Sequence, residues 1–334
     1  MNIKMIIPMM MIAAMPMGAD AQNKSGLVMQ NLDKTVKPAD DFYQFATGGW
    51  QKNHPLPAAY SRFGSFDQLA EDNNKRINDI LAELQKKTYK KGTIEQKLSD
   101  FYKQALDMES RNKAGIAPVK PLLDEMEAAK SKADLEKIQL KYAAQGYGVS
   151  FGGGFGADEK NVTMNIFQLS QGGLTLGQKD YYVNNDEATV AIREAFKKYI
   201  ADMFKLYGFS AEQAEEKAQA VFQHETMLAL ISKSATELRN PQANYNKMTL
   251  KEFQSSYPNL HLEEMCNAEG IKSEFIQDMI VGQPAFMEGL DKITAAESAA
   301  TLKALMEWDV ITSSAAYLTD EIRECNFDFF GKTM

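Results

Sequence analysis

Apolar residues that return every three or four positions constrain this chain more than any other feature. From Ser65 onward, Phe66, Leu69, Ile77, Ile80, Leu81 and Leu84 keep that spacing, which lines one face of an α-helix and does not fit a strand. Helix-start signals recur along the chain. Thr93 with Gln96, Ser210 with Gln213 and Thr249 with Glu252 each place a hydroxyl three residues ahead of a glutamine or glutamate. In that pattern the hydroxyl takes a free N–H of the first turn, and the longer side chain reaches back to another. Further helices are expected over 118–129, 133–145, 187–207 and 298–318. Asp40 and Asp41 are expected to cap a short helix that Gly48 and Gly49 then end. Phe42, Tyr43, Phe45 and Trp50 are expected to pack into a core from it.

One stretch breaks the pattern. Residues 146–182 are rich in glycine, and 162–167 alternate with period two. With 158–161 as the turn, 149–155 and 162–168 read as a hairpin. The expected fold class is therefore mainly α, a large multi-helix domain with a small β-hairpin insertion. A length of 334 residues allows one large domain or two ordinary ones.

The first residues read as an address label. Lys4, an apolar run over 5–17 and the small-x-small site Ala19-Asp20-Ala21 make 1–21 a signal peptide of bacterial type. The expected location is the periplasm or the outside of the cell. The apolar run is too short for a permanent span, and no later segment reaches about 18 continuous apolar residues. Residues 22–60 then read as an irregular lead-in, and 61–334 as the helical domain with its β insertion at about 146–182.

Charge and motif chemistry exclude more than they assign. Lysine and arginine number 37 against 45 aspartate and glutamate, a formal net charge of −8, with no basic stripe for nucleic acid. The glycine run 152–156 lacks the Gly-Lys-Ser/Thr ending of a phosphate loop and reads as strand. Of the three histidines, His224 precedes Glu225 on a helix, as in the zinc motif H-E-x-x-H, but the fourth residue on is Leu228. Two imidazoles must share one helix face in that motif. His224 therefore reads as an ordinary helix-surface or partly buried residue, and His54 and His261 as loop residues without ligand partners. Cys266 and Cys325 are too few for a disulfide framework or a thiolate metal site; they either pair or, the preferred reading, are two isolated small hydrophobes. No catalytic residue and no metal ligand emerges from the residues alone.

Five ordered strings carry a resemblance. Residues 37–50 (KPADDFYQFATGGW), 61–67 (SRFGSFD) after Leu56-Pro57, 174–182, 240–250 beginning Asn240-Pro241, and 326–333 (NFDFFGKT) resemble the N-terminal region of neprilysin-type zinc endopeptidases. That family includes the endothelin-converting enzymes and bacterial PepO. Within 174–182, Gln178-Lys179 stands where the family carries other residues. The resemblance implies a helical half that caps a thermolysin-like catalytic domain and encloses oligopeptide substrates. It implies zinc as cofactor, held by H-E-x-x-H and a downstream E-x-x-x-D in the C-terminal half, neither of which occurs in this sequence. By the resemblance, 22–60 would pack on that catalytic domain, the partner missing from this chain, which stops inside a motif that runs on in the family. The resemblance also makes Arg62 a substrate-binding residue near the peptide's carboxyl end. A guanidinium fork suits a carboxylate; the alternative is a surface ion pair. The family's second arginine, eight positions later, is Ala70 here, which weakens carboxylate selection. A rival reading is a stand-alone, non-catalytic module that binds peptides or a partner.

Overall fold

The computed structural model describes residues 26–334 except 59, 61, 144, 146, 148 and 149. The expected signal peptide, and the hairpin's expected start at Val149, lie outside the described residues. The chain divides into two compact units, 1–103 and 104–334.

The first unit holds α1 (Phe42–Asn53), α2 (Ser65–Leu84) and most of α3 (Ile94–Leu106). Asp41 caps α1, its carboxylate accepting from the Gln44 N–H at 2.9 Å. The helix does not stop at Gly48 and Gly49 as expected, but runs through both. The reason is close packing. A β-carbon on Gly49 would lie 2.3 Å from the Gln30 carbonyl oxygen, and one on Gly48 2.8 Å from the Asp33 side chain. The glycines therefore let the helix lie against the short turn Met29–Asn31 and cost some helix propensity to do so. Gly49→Ala is expected to destabilise this unit by about 1–3 kcal/mol through forced backbone movement, read as a lower midpoint in chemical denaturation.

One further sequence expectation fails in this unit. Phe42 and Tyr43 are exposed rather than packed in a core. The apolar face of α2 is exposed as well, with Phe66 at 85% and Ile80 at 61%, and α3 exposes Ile94 and Phe101. Helical spacing identifies which residues share a face, but not whether that face is covered.

In the second unit come α4 (Met108–Ala114), α5 (Lys120–Ala128), α6 (Lys132–Ala143), β1 (Phe151–Asp158), β2 (Asn161–Gln171), α7 (Asp180–Val183), α8 (Glu187–Leu206) and α9 (Ala211–Ile231). They are followed by α10 (Pro241–Asn244), β3 (Lys247–Thr249), α11 (Leu250–Ser256), α12 (Leu262–Ala268), β4 (Asp278–Val281), α13 (Pro284–Ala296), α14 (Ala299–Ser314) and α15 (Asp320–Phe327). The capping boxes at Ser210/Gln213 and Thr249/Glu252 form in full, opening α9 and α11. At Thr93 the hydroxyl caps Gln96, but the Gln96 side chain accepts from Gly92 instead.

The fold is mainly α with a small sheet. β1 and β2 make the expected antiparallel hairpin, with Gly152 to Gly156 on its first strand. The sheet extends further, in the order β1-β2-β4-β3. β4 pairs parallel to β2, Phe167 opposite Met279, and β3 pairs antiparallel to β4.

Two apolar cores form. In one, Phe196, Phe204, Val221, Trp308 and Ile311 pack together, and Phe329 stacks on Tyr199 with centroids 4.7 Å apart. In the other, Phe167, Leu228, Phe253, Met279 and Phe286 close the sheet against helices. α9 contributes Val221 to the first core and Leu228 to the second. The turns between those two residues hold His224 and Glu225. Cys266 and Cys325 are both free thiols, and burial pushes the Cys266 thiol up to about 11.

Candidate functional site

Arg62, the one site residue expected from sequence, lies in the connection between α1 and α2 and is exposed. Among the described residues it makes no ion pair. Phe63, beside it in the chain, joins an aromatic cluster. Trp50 stacks on the His54 ring at 4.5 Å and on Phe63 at 6.3 Å, and Tyr60 meets Phe63 edge-on at 5.2 Å. His54 Nδ1 sits 2.9 Å from the Trp50 carbonyl oxygen. Tyr43, Trp50, His54, Leu56 and Phe63 line a cavity of about 540 Å³. A free guanidinium next in sequence to an aromatic wall suits a peptide end, which offers a carboxylate and an apolar side chain together.

The second unit has a cavity of its own, about 530 Å³, lined from α6, α9, α13 and α14 and from the segments around Gly173 and Asn259. Its polar wall starts from α9. Glu225 is buried, and Thr175 donates to it twice, through its N–H at 3.1 Å and its hydroxyl at 2.6 Å. The Tyr182 hydroxyl donates to the same carboxylate. Behind these donors, the Trp308 indole N–H reaches Thr175 Oγ1 at 3.1 Å, and the Leu176 N–H reaches the Tyr182 hydroxyl at 3.1 Å. Burial raises the Glu225 pKa; the bonds from Thr175 and Tyr182 and the neighbouring His224 oppose that shift. Burial raises the Tyr182 phenol too.

Backbone geometry brings this loop to the helix. Gly173 has φ of +79°, and a β-carbon there would meet Leu228 at 2.9 Å and the Ser150 backbone at 3.0 Å. Only glycine satisfies both conditions at once. The string 174–182, singled out by resemblance, is thus the strap that delivers Thr175 and Tyr182 to α9.

His224 departs from expectation. It is 3% exposed, deeper than the helix-surface or partly buried position expected, and its Nδ1 lies 2.5 Å from Glu297 Oε1. That distance makes a close polar pair, although the angle is poor for a hydrogen bond. Nothing local in sequence links His224 to Glu297, which is 73 positions later and follows α13. His261 lines the same cavity, while His54 belongs to the first unit. No group of three or more histidine, cysteine, aspartate or glutamate side chains among the described residues converges to hold a metal. The zinc implied by resemblance does not fit these side chains.

The remaining resemblance strings also serve as structural ties. Tyr245 donates from its hydroxyl to Asp158 at 2.9 Å, and the Asn246 amide donates to the Val281 carbonyl at 3.1 Å, fastening the sheet. Tyr199 donates to Asn326 Oδ1 at 2.7 Å, close to the Phe329 stack.

Comparison with known proteins agrees with this arrangement. Neprilysin-3 of Drosophila melanogaster is 26% identical over 319 residues, covering 90% of this chain and 40% of its own. Endothelin-converting enzyme 1 of Homo sapiens is 24% identical over 311 residues, again 90% of this chain and 40% of its own. The chain thus spans about 40% of the length of these relatives. Among solved structures, the Mycobacterium tuberculosis zinc metalloprotease Zmp1, crystallised with an inhibitor, superimposes with a TM-score of 0.82 at 25% identity. That match covers 92% of this chain and 47% of Zmp1. PepO from Lactobacillus rhamnosis shares the fold, with a TM-score of 0.69 at 20% identity. The family model described as peptidase family M13, in its N-terminal part, matches residues 38–334, and with nearly the whole described chain inside that match, this protein belongs to peptidase family M13.

Proposed function

We propose that this chain is the N-terminal, substrate-enclosing part of an exported zinc endopeptidase that hydrolyses oligopeptides. The observation that carries this reading is the match to family M13 over 38–334 together with the superposition on Zmp1. In this reading the zinc, and the glutamate base that activates its water, belong to a C-terminal catalytic half. A zinc ion held by that half would supply Lewis-acid chemistry at the attacking water and the substrate carbonyl. The chain's own residues bind the peptide, exclude larger substrates and keep bulk water from the cleft. The exposed apolar faces of α2 and α3 support a further protein surface covering this unit, since monomers rarely leave contiguous apolar area uncovered. Residues 1–21 act as the export signal.

Arg62 is the binding residue in this reading. It pairs with the peptide's carboxyl end and so contributes to ground-state and transition-state binding alike. Arg62→Ala, in this chain paired with a neprilysin-type catalytic half, is expected to raise KM for peptides with a free carboxyl end by about tenfold, with kcat nearly unchanged. Amidated peptides should show no such change. Steady-state kinetics on a peptide and its amide check this; an equal effect on both would remove Arg62 from carboxylate binding.

A further inference from the structure

The cavity beside α9 has no part in the peptidase reading, yet it is built like a binding site. At about 530 Å³ it falls within the roughly 300–1,000 Å³ typical of small-molecule pockets. Leu260, Leu290, Leu302 and Met306, all buried, supply apolar wall. The Trp308 indole N–H is taken by Thr175 at 3.1 Å, so Trp308 offers the cavity its ring rather than its donor. One polar atom on this wall is unmet. His224 is 3% exposed and lines the cavity, and its Nε2 has no hydrogen-bond partner among the described residues. Buried polar atoms without partners are rare and costly, and a ligand group is one way to satisfy them.

The charged groups on the wall decide the ligand's charge, because each is already paired or reaches water. Glu225 accepts three hydrogen bonds, and burial raises its pKa. Glu297 stands 2.5 Å from His224, and Asp309 is engaged as well. Glu136, Lys132 and Lys137 share α6, a set of both signs that is partly or fully exposed. Neither sign is left over in the dry part of the wall. An ion entering there sheds its water without gaining a free counter-charge, a cost that a neutral molecule avoids. A hydroxyl suits Nε2 in particular, since it donates to a bare ring nitrogen and accepts from a protonated one.

From these observations we infer that the cavity binds a small uncharged molecule with an apolar body and one hydroxyl group, the hydroxyl meeting His224 Nε2.

The probes are 2-phenylethanol, 2-phenylethylammonium and 3-phenylpropionate, similar in body and different in charge. The chain has two tryptophans, so Trp50→Phe leaves Trp308 as the single indole reporter on this cavity. Titration of that chain, followed by Trp308 emission, is expected to show saturable binding of the alcohol. Both ions should bind about tenfold more weakly or worse. His224→Phe, added to that chain, keeps a ring in the wall but removes Nε2, and should weaken the alcohol about fivefold. If His224→Phe fails to melt cooperatively, the ranking of the three probes decides alone. If Trp50→Phe fails to do so, the rise in Tm of the parent chain with each probe replaces emission. Absence of saturable alcohol binding at millimolar probe, an ion binding as tightly as the alcohol, or unchanged alcohol affinity in a folded His224→Phe chain would overturn the inference.

Discussion

Replacing Glu225 with alanine is expected to destabilise the second unit by about 3 kcal/mol or more, with Tm falling and the Trp308 environment changing together. Three donor groups, the Thr175 N–H and hydroxyl and the Tyr182 hydroxyl, share this one carboxylate. Removing it leaves them without an acceptor, and each stranded buried group costs about 1–3 kcal/mol. The lost desolvation penalty of Glu225 offsets part of that sum. Glu225→Gln separates the contributions. Its carbonyl oxygen can take the place of Oε2, where the Thr175 N–H and Tyr182 hydroxyl arrive. Its amide nitrogen then faces the Thr175 hydroxyl, which can turn and accept. The glutamine variant should therefore lose less than half of what alanine loses. Denaturation of both variants checks this, and equal losses would show that packing rather than hydrogen bonding dominates the site.

The second large effect depends on pH. Glu307 on α14 is fully buried, with the Lys217 ammonium 2.5 Å away. Lys217 also reaches Glu127 at 3.4 Å, and Lys303 lies 3.6 Å from the same carboxylate. Burial pushes the Glu307 pKa up to about 7, against the pull of Lys217, while Glu127 is lowered despite burial, first by its hydrogen bond with Glu307 and then by Lys217 and Lys303. One carboxyl thus tends to keep its proton and the other its charge. Because the folded pKa of Glu307 lies above the ordinary 4.5, the folded chain holds more protons than the unfolded chain between those values. Its contribution to stability is then full below about pH 4.5 and is lost as pH rises through about 7. Between pH 5 and 8 the loss amounts to about 2–3 kcal/mol at roughly 1.4 kcal/mol per unit. Glu307→Gln removes this slope. Denaturation at the two pH values should show the parent chain losing that amount relative to the variant, and parallel behaviour would contradict the assignment.

Helical spacing and hydroxyl caps made most of the secondary structure legible, because both are local signals. α2, α6, α8 and α14 fall close to where apolar period and capping residues place them, and the Ser210 and Thr249 boxes form as the sequence indicates. What escaped depends on distant neighbours. Gly48 and Gly49 look like a helix stop, yet act as the contact surface for residues 29–31, a role set by tertiary packing. β3 and β4 have three and four residues, too few for alternation to stand out; β4 is defined by its pairing with β2 across more than a hundred positions, and β3 by its pairing with β4. Periodicity reports which residues of α2 and α3 align, not what meets them, so the exposure of those faces is not written in the spacing. The His224–Glu297 pair and the Glu225 network join four separate stretches of chain, and no local pattern announces such a meeting. Family membership and the mainly α fold were legible through the five ordered strings, whose residues now prove to be caps, straps and ring stacks.

In the proposed function this chain encloses and binds peptide, and a C-terminal half carries the metal chemistry. Metal analysis of the purified 334-residue chain, coupled to a fluorogenic peptide assay, tests that division most directly. The expected result is no stoichiometric zinc and no peptide cleavage, because one histidine lies in the first unit, one is paired with Glu297, and no histidine belongs to a group of three or more ligand-type side chains among the described residues. One tight zinc per chain together with chelator-sensitive cleavage would contradict it.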